Sequence, residues 1–276
     1  MKRFADKVAV VTGGASGMGL AVVEGLLAEG ACVTLVDQNA AALSDVLAAL
    51  GTDSARGVVA DVTSEQQIGD AMNGVEAAHG RLDIVCNAAG IVGRGTVEET
   101  DAALWNRIVG IDLASIHLTV RAALPAMKRT GSGSIVNIAS VAGLRGTASV
   151  NVAYAAAKGG VIALTQQLAA DLAPYRIRVN AVSPGFVTTP MNQDMRSAGL
   201  DRLWVGRIPL RRYARPEELA NVILFLASEQ ASYVTGANLV ADGGLSSVLA
   251  PDPVPFVDGA GGAAGSGDSS VLTGAR

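Results

Sequence analysis

Tyr154 and Lys158 stand at positions i and i+4 of an alanine-rich stretch, YAAAK, that contains no proline. Such a stretch favours a helix, and on a helix residues four apart share one face. A phenol beside an ammonium is an acid–base device. The cation favours the phenolate and draws the tyrosine down from its ordinary value of about 10. Upstream, Ser140 follows the apolar run Ser134 to Ala139, which reads as a strand, so its hydroxyl stands at a strand's carboxyl end. Taken alone, the Tyr-x-x-x-Lys spacing fits a surface lysine near a half-buried tyrosine better than a catalytic pair. The elements around it decide.

The first of those elements is a second piece of chemistry. Val8 to Val11 is a β-branched apolar run of the kind a strand buried on both faces shows. Thr12-Gly13-Gly14-Ala15-Ser16-Gly17-Met18-Gly19 follows, then a helical pattern through Val22, Val23, Leu26 and Leu27 to Gly30. Glycines between a strand and a helix let a phosphate approach bare N–H groups at a helix N-terminus, where the dipole favours an anion. This turn is therefore read as a pyrophosphate cradle. The next strand, Cys32 to Val36, ends at Asp37, where an acid can accept hydrogen bonds from the adenosine ribose hydroxyls. An acid there repels a 2′-phosphate. No arginine or lysine lies in the glycine loop or just after Asp37, so the reading is NAD rather than NADP. The competing reading of Asp37 is a cap for the helix that follows.

The alternation continues. Ala40 to Leu50 is helical, Gly57 to Ala60 is a strand ending in Asp61-Val62, and Ser64 caps a helix running to His79. Asp83 to Cys86 is a strand ending in Asn87-Ala88-Ala89-Gly90, and Leu104 to Met127 contains a long helix. Strands separated by helices give right-handed crossovers and a parallel sheet with helices on both faces. Ligands of such sheets bind beyond the strands' carboxyl ends, where Asp37, Asp61 and Asn87 all fall. Arg178 to Val182 reads as a sixth strand, ending in Ser183-Pro184-Gly185, and Gly236 to Val240 as a seventh, closed by Asp242-Gly243-Gly244. Between them, Phe186 to Leu210, with Met191, Met195 and Trp204, reads as a lid over a pocket or as an ordinary helical insertion.

The totals exclude other classes. Of 276 residues half are hydrophobic and 4% aromatic, as in an α/β protein with small-residue packing. A net charge of −4 gives no reason to expect nucleic acid or an anionic membrane as partner. The opening MKRFADKVAVV has no signal-peptide core, and no run of about 18 apolar residues spans a membrane. Cys32 and Cys86 lie in strand-like runs and read as buried, reduced thiols, which points to the cytoplasm. His79 reads as a C-terminal capping charge and His117 as a packed histidine, so neither a metal site nor a Ser-His-Asp triad is expected.

These residues together resemble the classical short-chain dehydrogenase/reductase family. The matches are TGGASGMG at Thr12–Gly19, NAAG at Asn87–Gly90, Ser140 after IVNIA, YAAAK at Tyr154–Lys158, RVNAVSPG at Arg178–Gly185 and DGG at Asp242–Gly244. The resemblance covers roughly residues 4 to 247. It implies a single-domain Rossmann fold with a seven-stranded parallel sheet, NAD(P)-dependent chemistry on a small-molecule alcohol or carbonyl, and a homotetramer. It implies that Tyr154 is the general acid/base, that Ser140 fixes the substrate oxygen, and that Lys158 lowers the Tyr154 pKa and binds the nicotinamide ribose. Gly13, Ser16, Gly17, Met18 and Gly19 would hold the pyrophosphate, Asp37 the ribose, and Asp61 and Val62 the adenine. Asn87, Ala88 and Gly90 would support the cofactor, and Pro184, Gly185, Val187 and Thr189 would lie by its carboxamide. No metal is needed.

The chain departs from that pattern at Asp112, which stands in Val109-Gly110-Ile111-Asp112-Leu113 where the family usually has an asparagine. Its added charge should raise the Tyr154 pKa and partly cancel Lys158. The loop between Ser140 and Tyr154 also looks one residue longer than is common, which bears on specificity. Arg94 and Arg145, near loops on the substrate side, read as solvated surface or as a contact for an acidic group. Residues 248–276, rich in Pro, Gly, Ala and Ser, read as a flexible tail in which Val254, Phe256 and Val257 could pack on a neighbour. The leading expectation is an NAD-dependent secondary-alcohol dehydrogenase or ketone reductase. The alternatives are an NADPH-dependent 3-oxoacyl-thioester reductase and a cofactor-binding sensor or scaffold without turnover.

Overall fold

The apolar runs become the inner strands. In β1 (Val8–Thr12) all five residues are buried, as are all four of β4 (Ile84–Asn87). With β2 (Cys32–Asp37), β3 (Ala55–Val59), β5 (Gly133–Ile138), β6 (Ile177–Pro184) and β7 (Asn238–Ala241) they make one seven-stranded sheet. Its order is β3-β2-β1-β4-β5-β6-β7, and every neighbouring pair is parallel. The structure is a computed structural model that describes residues 2–147, 150–192 and 204–247. The 248–276 tail and Met195 lie outside the described residues.

Side chains alternate across the sheet, so each strand feeds two cores. Ala9 and Val11 face Val22, Leu26, Leu43 and Ile223, which belong to α1 (Gly17–Ala28), α2 (Ala40–Leu50) and α7 (Pro216–Ala227). Val8 and Val10 face Ile68, Val120 and Val161, from α3 (Glu65–His79), α5 (Ser115–Thr130) and α6 (Val152–Leu172). The strand order reverses between β1 and β4, which opens the crevice where a dinucleotide fold binds its ligand.

The long helix expected from Leu104 is interrupted. It is α4 (Ala102–Val109), a π-helical turn at Gly110–Ala114, and then α5. Taken as one helix, Ala102–Thr130 is long and apolar enough by length and composition to cross a bilayer. Here it belongs to the helical layer, with Ile108, Ile116 and Val120 buried in the fold. Two further expectations are corrected. His117 projects into solvent from α5 instead of packing, because the buried stripe of that helix runs through Ile116, Val120 and Ala123. Cys32, at the start of β2, is only partly covered, whereas Cys86 is buried and its thiol is pushed up to about 12 by loss of water.

At the far end of the sheet from the crevice, Asp83 is buried and ties its own segment to the start of β1. It accepts from the Val8 N–H at 3.0 Å, from Arg81 at 2.6 and 2.8 Å, and from Lys7 at 3.3 Å. Burial pushes its carboxyl up, but Arg81, the Val8 amide and Lys7 outweigh that and hold it below the usual range. Its contribution to stability is therefore present above the unfolded-state value near ~3.9 and lost as pH falls through the lower folded value. Because both cations remain partly in water, the expected cost of Asp83→Ala is about 1–3 kcal/mol, mostly from the orphaned amide. Urea unfolding at neutral pH checks it, and the difference from wild type should shrink toward acid pH.

Candidate active site

Two connected hollows lie at the carboxyl ends of the strands. The smaller, about 340 Å³, is the crevice above β1, β2 and β4. The larger, about 1000 Å³, lies over β5 and β6, and the two share Met18, Ala88, Gly90 and Thr189 in their walls.

The glycine turn forms one side of the small crevice. Gly13 and Gly17 take φ of 66° and 53°, left-handed conformations that side chains resist. A Cβ on Gly19 would sit 2.1 Å from the Gly13 carbonyl oxygen, so the turn closes only with glycine there. Ser16 occupies the N-cap of α1 without capping it by its side chain, and the first turn has no acidic residue. The first amides of α1 are thus left for an external acceptor. Asp37 borders the crevice beside the turn, accepting from the Ala15 N–H at 3.2 Å and the Asn39 N–H at 3.0 Å. The helix cap is Asn39, not Asp37, so the capping reading falls away. Asp61 and Val62 line the same crevice, and Asp61 is fixed by the Thr63 N–H and hydroxyl, each at 2.8 Å. The uncapped glycine turn and the carboxylate beside it fit the pyrophosphate and the adjoining adenosine ribose of a dinucleotide.

Asn87 is placed differently. It lies beneath the crevice floor, 3% exposed, and its amide donates to Asn137 Oδ1 at 2.8 Å, while Asn137 donates to Thr165 Oγ1 at 2.9 Å. It supports the floor and does not line it. Pro184, Gly185, Val187 and Thr189 do line the larger cavity. They are held by a bridge between Val187 and Ala214 and by Phe186, whose ring stacks on Tyr213 at 5.2 Å and tilts against Trp204 at 4.8 Å. Of the segment read as a lid, Phe186, Met191 and Trp204 wall the cavity.

Ser140, Tyr154, Lys158 and Asp112 meet on the floor of the larger cavity. Ser140 follows β5, and its Oγ accepts from the Ala142 N–H at 3.1 Å. Its hydroxyl stands near enough to that of Tyr154 to favour the phenolate. Lys158 is buried one turn further along α6. Its Nζ donates to the Ile138 carbonyl at 2.9 Å and lies 3.2 Å from Asp112 Oδ1. The π turn carries Asp112 inward, where it also accepts from the Ile91 N–H at 3.1 Å. Gly90 makes room for it, since a Cβ there would meet Asp112 Oδ1 at 2.5 Å.

The electrostatic expectation for Tyr154 needs correction. Loss of water pushes its hydroxyl up; Lys158 pulls it down, Asp112 pushes it up again, and Ser140 and Arg94 pull it down. The balance lies above the ordinary phenol value, chiefly because of burial, with Asp112 offsetting part of the Lys158 charge. Lys158 itself is held above its usual range: burial works against its charge, and Asp112 and Tyr154 overcome that.

Asn151 was not singled out from sequence. It is 1% exposed, caps α6 by accepting from the Tyr154 N–H at 3.0 Å, and anchors its own N–H on the Gly93 carbonyl at 2.9 Å. An asparagine three residues before Tyr154 is an N-cap spacing, so a signal was present.

A family model described as enoyl-(acyl carrier protein) reductase matches residues 13–246. The chain is 46% identical over 250 residues to trans-4-hydroxycyclohexanecarboxylate dehydrogenase of Sinomonas cyclohexanicum, covering 88% of this chain and 93% of that one. The chain belongs to the short-chain dehydrogenase/reductase family. It is an oxidoreductase of that family, whose chemistry calls for a nicotinamide cofactor. Cyclopentanol dehydrogenase of Comamonas sp. is 40% identical over 247 residues, 88% of this chain and 98% of that one. A short-chain type dehydrogenase/reductase from Mycobacterium marinum superposes with a TM-score of 0.84 at 33% identity, covering 88% and 96% of the two chains.

Proposed function

We propose that the protein moves hydride between NAD(H) and a secondary alcohol or its ketone, with Tyr154 as the general acid/base. The observation that carries this reading is the Ser140–Tyr154–Lys158 array at the junction of a substrate-sized cavity and a crevice ending in Asp37. When bound, the nicotinamide supplies the hydride acceptor or donor. In oxidation, the Tyr154 phenolate takes the alcohol proton while the Ser140 hydroxyl donates to the same oxygen and fixes it. In reduction, Tyr154 returns the proton to the carbonyl oxygen. Lys158, whose Nζ is 5.7 Å from the Tyr154 ring centre, keeps a positive charge beside the phenolate. Asp112 acts through Lys158 as a positioning residue.

Asp37 supports NAD over NADP. Its carboxylate faces the crevice already fixed by two backbone amides, and a 2′-phosphate would meet that charge. The relatives support the alcohol class, since their names cite a cyclic hydroxy acid and a neutral cyclic alcohol. That pair leaves the polar character of the substrate open. The homotetramer of the resemblance is consistent with apolar side chains at Phe225, Leu239 and Val240, exposed on α7 and the edge strand β7.

Fluorescence titration with NADH and NADPH, on wild type and on Asp37→Ala, tests the cofactor assignment. NADH should bind at least about tenfold more tightly, roughly 1.4 kcal/mol, with the gap closing in the variant. Equal or preferential NADPH binding would overturn it and bring forward the thioester reductase.

A further inference from the structure

The side-chain amide of Asn151 has one group that helix capping does not explain. Its Oδ1 accepts from the Tyr154 N–H at 3.0 Å, as a cap requires. Its Nδ2 is buried and finds no hydrogen-bond partner among the described residues. A buried donor without an acceptor is costly, and serine or threonine would cap α6 without carrying one. The amide is instead wedged against Gly93, where an added Cβ would collide with both of its polar atoms and with Ile108 Cδ1. The backbone N–H of Asn151 also donates to the Gly93 carbonyl at 2.9 Å. Asn151 thus grips Gly93 by packing and by a backbone bond, and Tyr154 by its side chain.

Gly93 lies in the loop after β4. Gly90 and Val92 of that loop wall the larger cavity, and Gly90 and Ile91 border the crevice. The same loop is pinned at Ile91, whose N–H donates to Asp112, the carboxylate beside Lys158. One loop therefore references both acid–base residues: Lys158 through Asp112, and Tyr154 through Asn151. The two are not equally secure. Lys158 stands in the second turn of α6, and its ammonium has the Ile138 carbonyl and Asp112 as fixed partners. Tyr154 is the third residue of α6, in the turn whose amides have no partner inside the helix and which frays first. Its own N–H is held by Asn151.

We propose that Asn151 is a positioning residue for Tyr154: it clamps the first turn of α6 to Gly93, so that the phenol and the loop shared by crevice and cavity keep one geometry. This rests on the acid/base role of Tyr154 given above and adds the group that holds it in register. Proton transfer to a substrate oxygen works only over hydrogen-bond distance. A displacement of about 1 Å far from the reacting atoms can cost about a hundredfold in rate.

The test compares Asn151→Ala, which removes cap and wedge, with Asn151→Ser, which keeps an acceptor for the Tyr154 N–H. The full chain is used, with cyclopentanol and 4-hydroxycyclohexanecarboxylate as substrates. Asn151→Ala should lower kcat by about tenfold or more while the Kd for NADH stays within about twofold. Asn151→Ser should recover much of the loss. In the Tyr154→Phe background Asn151→Ala should cost nothing further, because no hydroxyl is left to place. Where Asn151→Ala fails to fold, Asn151→Gly carries the comparison, since glycine is tolerated at an N-cap. A readout without substrate is the NMR signal of tyrosine labelled with carbon-13 at Cζ, assigned to Tyr154 by its absence from Tyr154→Phe. The single sharp line of wild type should broaden or divide in Asn151→Ala. Wild-type kcat with an unchanged line, or an equal loss of kcat with and without the Tyr154 hydroxyl, would overturn the proposal and leave the acid/base reading standing. Full turnover by Tyr154→Phe would overturn both.

Discussion

Tyr154→Phe is expected to lower kcat by about two to four orders of magnitude, the range a positioned general acid/base supplies. The ring should stay where it is, because it packs with Ile108, Ala153 and Ala157 in a small apolar cluster that phenylalanine fills as well. Thermal unfolding should therefore be close to wild type, which separates lost chemistry from lost fold. The pH dependence gives a second check. Oxidation needs the phenolate, so its rate rises with pH through the Tyr154 ionisation, which burial first, and then Asp112, push above the ordinary value against Lys158, Ser140 and Arg94. That limb should vanish from the residual activity of the variant. Retention of full turnover would sink the assignment of Tyr154, and with it the enzyme reading in favour of a sensor or scaffold.

Lys158→Met should cost both activity and stability. In this chain the lysine has a buried carboxylate 3.2 Å away, with side-chain exposures of 5% and 0% for Lys158 and Asp112. Removing the cation leaves Asp112 buried and uncompensated, a change that typically costs about 3–5 kcal/mol. Lys158→Met combined with Asp112→Leu should recover much of that stability and none of the turnover. Urea unfolding of the two single variants and the double reads the coupling directly. Additive losses would mean that the pair is not formed. The milder Asp112→Asn removes the carboxylate charge that adds to burial in raising Tyr154. Its pH–rate midpoint for oxidation should lie below that of wild type, and coincident profiles would dismiss the effect.

Much of this was legible because the informative residues are local. Strand, glycine turn and helix follow one another without interruption from Val8 to Ala28, so the crevice and Asp37 could be placed from the chain alone. Tyr154 and Lys158 share a helix face by spacing. What the sequence concealed is non-local or a balance of opposed terms. That Asp112 reaches Lys158 directly depends on a π turn that apolar periodicity does not announce. The direction of the Tyr154 shift depends on how far desolvation outweighs a cation that is itself partly neutralised. The grip of Asn151 on Gly93, and the approach of Arg94 and Arg145 to one cavity, each required segments far apart in sequence to be brought together. His117 was misplaced for a simpler reason: neighbours on both sides are apolar, and only the helix phase tells which of them face inward.

The wide turn at Gly110–Ala114 has a consequence for how the chain tolerates a change in length. An α-helix advances about 100° per residue, and a π turn holds one residue more than an α turn. The turn thus absorbs one surplus residue within a continuous rod. α5 keeps Ile116 and Val120 on the sheet, while α4 turns Ile108 toward the cluster around Tyr154. Deleting one residue there would leave a smooth α-helical rod whose halves keep their directions, with Ile108 still toward the Tyr154 cluster, but it would remove the bulge that carries Asp112 to Lys158. The single surplus residue lets a rod that serves the core also hold a carboxylate against Lys158.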